Sequence, residues 1–382
     1  MAKKNDTLHS AKTAKNDEFY TQVSDIEQEI GNYRKHFKDK IIYMPCDNPE
    51  WSNFWHVLKN QYIYLHYKKI IATFYNGIVD TDKQPYKLEY DGVNEIKTFL
   101  EGDGDFRSEE CSAILQESDI VITNPPFSLF REFIKWVMDA DKKFLIIGNQ
   151  NAITYKEVFP YIKENKMWLG TNSNLSIIYK TPYENIQESN RDIVLKNGLN
   201  PDDGYILVAG ICWFTNLDIK KRHDTIITSC LYNDNPSKYP TYDNYEAINC
   251  DKTNDIPDDY DGVIGVPITF LSKHCPAQFE IVGLVNGKDD LVDIKTTKDY
   301  KSYKETRQNG EETGANGGKI YGNPVLVGKP DKGNYFTDGT NCVYSTYARI
   351  FIRRKPNDIT YLSGVHLITH RYKSPTEAYD TD

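Results

Sequence analysis

The sequence predicts an α/β fold: a mostly parallel sheet covered by helices on both faces up to about residue 220, followed by a strand-rich second domain. Three observations carry this expectation. Short apolar runs alternate with helical stretches through the first half. The run Asp119-Ile120-Val121-Ile122-Thr123 stops abruptly on Asn124-Pro125-Pro126-Phe127. Beyond residue 220, tyrosine, asparagine, aspartate and proline become dense, apolar runs shorten and no long helical period survives. With 382 residues, the chain is long enough for two domains with their own cores.

Taken in order, residues 1–16 hold Lys3, Lys4, Lys12 and Lys15 against Asp6 alone and predict a flexible basic arm. Lys40-Ile41-Ile42-Tyr43-Met44 predicts a strand and Ser52 through Leu58 a helix. Ile70–Tyr75 predicts the next strand, and Asp119–Thr123 the one that carries the tetrapeptide. Ser128 is placed to cap a helix in which Leu129, Phe130, Phe133, Ile134 and Val137 recur at helical spacing and bury one face. Phe144–Ile147 is a further strand, and Thr154-Tyr155-Lys156-Glu157 reads as a capping box opening a helix that Pro160 kinks. Residues 302–320, with Gly310, Gly314, Gly317 and Gly318 among charged side chains, read as a mobile loop.

Composition narrows the function classes. Seven cysteines are scattered without a Cys-x-x-Cys pair and in odd number, which predicts neither a disulfide framework nor a zinc site and fits a reducing cytosol. The start of the chain has no apolar core and no run approaches ~18 apolar residues, so neither a signal peptide nor a membrane span is expected. Net charge is −9, yet phosphate contacts need only local basic surface. Besides the arm, residues 345–373 hold Arg349, Arg353, Arg354, Lys355, Arg371 and Lys373 against Asp358 and predict a basic strand able to grip phosphate.

The chemistry is concentrated in Asn124-Pro125-Pro126-Phe127. Two prolines remove two backbone donors and most of the freedom in φ where the chain leaves the sheet. The Asn124 side-chain oxygen and the Pro125 carbonyl can then accept hydrogen bonds, while the Phe127 ring offers a flat face. Together they suit a planar group with an exocyclic NH₂, whose lone pair two acceptors would localise for attack. On its own the tetrapeptide leaves adenine, cytosine-like and amide nitrogens open, and it also suits a rigid turn after an edge strand.

Further stretches give the motif a context. Asp17-Glu18-Phe19-Tyr20-Thr21, Gly102-Asp103-Gly104-Asp105-Phe106-Arg107-Ser108, Lys142–Asn149, Trp213-Phe214-Thr215-Asn216-Leu217-Asp218 and Gly262–Leu271 stand in an order that, with Val121–Phe127, resembles the EcoRI-type adenine-N6 DNA methyltransferases. The resemblance spans most of residues 8–285. It implies a Rossmann-like, S-adenosylmethionine-dependent catalytic domain over 17–220 and a target-recognition domain over 221–382, the gamma order of motifs. It further implies double-stranded DNA as partner and base flipping, with Asn124, Pro125, Pro126 and Phe127 as the catalytic residues. No metal, no membrane, a monomer and a cytoplasmic location at the nucleoid complete that picture, with the enzyme either part of a restriction-modification system, beside a cognate endonuclease acting on the same site without direct contact, or an orphan or phage-borne one. The alternatives left open are an N6-adenine RNA or glutamine-amide methyltransferase of the same fold, and a catalytically inactive DNA-binding protein.

The same resemblance places the cofactor. Pro45-Cys46-Asp47-Asn48-Pro49-Glu50-Trp51-Ser52-Asn53 occupies the first cofactor motif, so Asp47, Pro49, Ser52 and Asn53 are expected at the amino-acid end, at the start of a helix. Many methyltransferases have a Gly-x-Gly turn there, and this chain does not. Asp105 and Phe106 are expected at the adenine ring, and Phe19, Tyr20 and Thr21 as the segment closing over the amino-acid end. Tyr75-Asn76-Gly77 stands where many relatives have an acid for the ribose, so the ribose partner is left unassigned. Gly314–Lys319 lacks the spacing of a phosphate loop and has Ile320 in place of Ser/Thr. Asp251, Asp255, Asp258, Asp259 and Asp261 lack calcium-loop spacing, and the histidines show no metal-binding pairing.

Overall fold

The computed structural model describes residues 21–76, 84–173, 175–180, 191–196, 198–287 and 291–356. The first half is built on a nine-stranded sheet: β1 (Ile41–Met44), β2 (Lys69–Phe74), β3 (Tyr86–Tyr90), β4 (Glu95–Phe99), β5 (Ile120–Thr123), β6 (Lys143–Asn149), β7 (Trp168–Leu169), β8 (Leu175–Lys180) and β9 (Tyr205–Thr215). Their order is β4-β3-β2-β1-β5-β6-β9-β7, with β8 paired to β9. β2, β1, β5 and β6 run parallel, whereas β9 is antiparallel to β6. The chain steps from β1 to β2 on one side and returns to β5 on the other. The carboxyl ends of β1 and β5 therefore flank the topological switch point, where an open α/β sheet offers a crevice.

Side-chain alternation on the central strands feeds two cores. Tyr43, Ile71, Val121, Phe144 and Ile146 face one side; Ile42, Met44, Ile70, Ile120, Ile122, Leu145 and Ile147 face the other. Helices α1 (Val23–Ile30) and α2 (Asn53–Asn60) cover the second face; α3 (Glu109–Glu117) and α4 (Phe130–Asp139) cover the first. On α4 the buried residues are Phe130, Phe133, Ile134 and Val137, as the spacing predicts. Gly148 on β6 makes room for α4, because a Cβ there would come within 2.5 Å of the Phe130 ring.

Three local expectations are corrected. Ser128 does not cap α4: Phe127–Leu129 forms a 3-10 turn running straight into the helix, whose N-cap is Leu129. Thr154 ends a 3-10 turn instead of opening a capping box, and the next helix is Phe159–Lys163. Pro160 lies in its first turn, where the missing N–H has no partner to lose, so it starts the helix and does not kink it.

The second half holds a four-stranded sheet of β10 (Ile248–Asn249), β11 (Ile264–Pro267), β12 (Phe279–Val285) and β18 (Arg349–Arg354), in the order β10-β11-β18-β12. A five-stranded sheet comprises β13 (Lys304–Thr306), β14 (Glu312–Asn316), β15 (Val325–Val327), β16 (Tyr335–Thr337) and β17 (Cys342–Ser345). The mobile loop expected over 302–320 is instead the β13–β14 hairpin with a following 3-10 turn. Its glycines serve that geometry: Gly310 and Gly314 sit at φ +89° and +86°, and Glu305 accepts from Lys319 Nζ at 2.9 Å. The core on the α3–α4 face continues into Ile248, Ile264, Phe279 and Ile350, so the two halves share one apolar layer.

The β18 strand also departs from expectation. Arg349 donates to Asn249 at 3.1 Å and Asp251 at 2.8 Å, Arg353 to Glu280 at 2.9 Å, and Arg354 to Asp258 at 2.7 Å. Arg349 and Arg354 are buried. The basic strand is thus neutralised by acidic partners within the protein, with Arg354 and Asp258 paired inside the fold and Asp251 at the surface. Arg371 and Lys373, like the basic arm, lie outside the described residues.

Candidate functional site

Three loops meet at the carboxyl edge of the first sheet. The loop after β1 turns without glycine: the Glu50 amide donates to Asn48 Oδ1 at 2.9 Å and the Ser52 amide to the Asn48 carbonyl at 2.8 Å, with Pro49 buried between. An asparagine turn and a proline do the work of the absent Gly-x-Gly. Ser52 then caps α2, accepting from the Phe54 amide at 3.1 Å while donating to Asp47 Oδ1 at 2.7 Å. Asp47 is 4% exposed, and its Oδ2 accepts from the Thr123 hydroxyl.

Asn53 extends the site toward the N-terminal segment, its side-chain nitrogen donating to the Thr21 carbonyl at 2.7 Å. Thr21 is buried, and its hydroxyl has no hydrogen-bond partner among the described residues. Phe19 and Tyr20 lie outside the described residues.

The second loop follows β5. Thr123 is fully buried; Asn124 is half-buried with its Oδ1 shielded from solvent; Pro125 is buried; Pro126 and Phe127 are half-buried. The 3-10 turn and α4 pin this loop from behind, through Phe130 against Phe214 at 5.2 Å between ring centroids.

The third loop, 102–107, is tied to the end of β2 by the Asn76 amide on the Asp103 carbonyl at 2.9 Å. Gly104 is required there: φ is +79°, and a Cβ would lie 2.3 Å from the Phe74 carbonyl oxygen. Asp105 is gripped by Arg107, whose backbone and side-chain nitrogens donate to it at 2.6 to 2.9 Å, and Arg107 reaches Glu132 on α4 at 3.0 Å. Burial opposes the Asp105 charge, but the Arg107 hydrogen bonds outweigh it and hold the carboxyl below the usual range. Burial, then the charges of Asp47 and Asp105, push the Cys46 thiol well up, so a neutral thiol sits in the field of both carboxylates.

The fold therefore gathers Thr21, Asp47, Pro49, Ser52, Asn53 and the Asn124 loop at one edge, with Asp105 next to them. Phe106 is placed differently: it is 4% exposed, edge-on to Phe133 at 5.1 Å and Trp136 at 5.3 Å, and belongs to the core beneath the third loop. Sequence reasoning missed Thr123, which reads as one more β-branched strand residue, and Arg107, whose two-residue offset from Asp105 was the available signal. Among the described residues no three His, Cys, Asp or Glu side chains form a metal-binding group, and no helix is long and apolar enough to cross a membrane.

Comparison with known proteins gives the family of the chain. The family model described as the adenine-specific methyltransferase EcoRI matches residues 7–355. The type II methyltransferase M.EcoRI of Escherichia coli is 45% identical, over 75% of this chain and 91% of its own length. Type II methyltransferases M.MgeORF184P of Mycoplasma genitalium and M.MpnI of Mycoplasma pneumoniae are 38% and 37% identical, over 76% and 78% of this chain and 90% and 91% of their own. No solved structure matches.

Proposed function

The chain belongs to the family of the adenine-specific methyltransferase EcoRI, and from that premise we propose that it transfers a methyl group from S-adenosylmethionine to N6 of an adenine flipped out of duplex DNA. As a type of enzyme it is a site-specific adenine DNA methyltransferase of the restriction-modification class. The observation that carries the finer reading is the meeting of two loops at the switch point: Asn124 leaves β5 one residue after Thr123, whose hydroxyl bonds Asp47 of the β1 loop.

The residues present suit the cofactor. Asp47, the first amides of α2 and the buried hydroxyl of Thr21, which has no partner among the described residues, converge where a zwitterionic amino-acid end needs a carboxylate, donors and an acceptor. Asp105, kept ionised by Arg107, suits an adenine amino group. When bound, S-adenosylmethionine supplies an electrophilic methyl on a sulfonium. Asn124 and the Pro125 carbonyl accept the two hydrogens of the target amine, which concentrates its lone pair, and Phe127 stacks on the flipped base. Extruding the base costs a few kcal/mol, offset by that stacking and those two hydrogen bonds.

The half from 221 to 382 acts as the target-recognition domain. Phosphate contacts there fall to side chains other than Arg349 and Arg354, which are committed to internal ion pairs. One asymmetric site needs no second copy, so the enzyme works as a monomer in the cytoplasm and shares its target with an endonuclease without touching it.

Labelled S-adenosylmethionine offered with duplex DNA, RNA and protein acceptors tests the reading. Label should enter duplex DNA as N6-methyladenine, and sequencing of DNA from expressing cells should place it in one recurring context. Label entering RNA or protein in preference to DNA overturns it.

A further inference from the structure

We infer that Thr123 is a positioning residue for methyl transfer: its hydroxyl is the clamp that fixes the Asn124 strand end against the cofactor loop. This deepens the proposed function and rests on Asn124 as the group that holds the target amine.

Three observations carry it. First, backbone pairing between β1 and β5 joins Ile42 to Ile120 and Tyr43 to Val121 and, toward the carboxyl ends, stops there. The two strands part at the switch point, so the ladder that would fix their relative height is missing where the chemistry needs it. Second, Thr123 spans the gap with a single fully buried hydroxyl that donates to Asp47 Oδ2 and accepts from the Cys46 amide at 3.3 Å. A hydroxyl can donate once and accept twice, so this one links carboxylate and backbone of the same loop. Third, Asp47 is held from its other oxygen by Ser52, the cap of α2. A continuous chain of bonds thus runs from the α2 N-terminus through Ser52, Asp47 and Thr123 to the peptide that begins Asn124.

Two prolines stiffen the loop beyond Asn124, so a displacement at Thr123 passes into the acceptor pair without being absorbed. In-line transfer tolerates little displacement, because the amine must lie on the axis of the breaking bond. Valine at 123 keeps the shape and removes the clamp; serine keeps the clamp.

The test is single-turnover methylation by the full chain, at saturating S-adenosylmethionine and duplex DNA, with cofactor affinity by calorimetry and base flipping by 2-aminopurine fluorescence. Thr123→Val should methylate ~10- to 100-fold more slowly while still flipping the base, and Thr123→Ser should recover to within roughly threefold of the parent, since the donor is restored. A Thr123→Val rate within threefold of the parent at saturation overturns the inference, even if its cofactor affinity or Tm has fallen, because that is what a merely structural hydroxyl would do. Should the valine variant not fold, Thr123→Cys, a weak donor, must be slower than Thr123→Ser; equal rates overturn the inference. An Asn124→Ala control separates the two levels. If it methylates normally the proposed site falls too, whereas an inactive Asn124→Ala beside a fast Thr123→Val removes only the clamp.

Discussion

The carboxyl edge of the first sheet and strand β18 carry the same kinds of polar side chain and use them in opposite ways. At the sheet edge, Ser52 and Thr123 both bond Asp47 in a chain that leads to Asn124, and Asn53, the residue after Ser52, bonds the Thr21 carbonyl. In β18, the buried Arg349 reaches out to Asp251, which is exposed, while Arg354 and Asp258 are matched to each other and shielded from solvent. An open chain of hydrogen bonds positions groups for a ligand, whereas a closed pair positions only itself. A basic stretch in a sequence is therefore weak support for a phosphate-binding surface until its partners are known.

The comparison predicts that the two regions fail differently, and the largest loss of stability should come from the closed one. Arg354→Leu leaves the largely buried Asp258 carboxylate without its counter-charge, held by the Thr228 hydroxyl at 2.5 Å, and should destabilise the fold by up to about 3 kcal/mol, seen as a lower denaturation midpoint, while the methylation rate of the folded fraction stays at the parent level. A rate that falls as far as the stability would mean that β18 serves the site directly.

His274 supplies an intermediate effect. It is 8% exposed and faces the Phe279 carbonyl at 2.9 Å through Nε2, and burial lowers its pKa from 6.5 to about 4. The unfolded chain takes up a proton near pH 6.5 that the folded chain refuses until about pH 4. This contribution to stability is complete above that window and is lost as pH falls through it. Tm should drop more steeply between those limits in the parent than in His274→Gln, measured by calorimetry; parallel slopes would remove the His274 contribution.

The smallest effect belongs to Arg353. Its pair with Glu280 is roughly half-exposed on both sides, so Arg353→Ala should cost under ~1 kcal/mol in a denaturation curve. A larger cost would place that pair with the closed ones.

Much of the first half was legible because its strands carry unbroken β-branched runs and its helix after the tetrapeptide keeps a clean period. The strands at 41–44, 69–74, 120–123 and 143–149 and the buried face Phe130–Val137 follow from pattern alone. The edge strands β3 and β4 are less legible: in Tyr86–Tyr90 the alternation of Tyr86, Leu88 and Tyr90 with Lys87 and Glu89 is present but short and only Tyr86 is buried, and Glu95–Phe99 is exposed along its whole length. The hairpin at 304–316 reads as a loop because its paired strands β13 and β14 are short, polar and interrupted by Gly314, although Asn309-Gly310 is a hairpin signal; its second neighbour, β16, lies some thirty residues on.

In the site, the tetrapeptide and Asp47 stood out by residue type, whereas Thr123 and Arg107 did not. Their importance comes from what they touch across the fold: Thr123 meets a carboxylate 76 positions away in the chain, and Arg107 meets Glu132 on α4. Phe106 shows the converse, a residue that motif order placed at the cofactor and packing placed in the core.

The central claim, that the open edge does the chemistry through Asn124, is tested most directly by one variant measured two ways. Asn124→Ala should still bind S-adenosylmethionine in a titration calorimeter with affinity close to that of the parent, yet show no N6-methyladenine when duplex DNA is digested and analysed by mass spectrometry. Methylation retained at a rate near the parent's, with cofactor binding intact, would contradict the account.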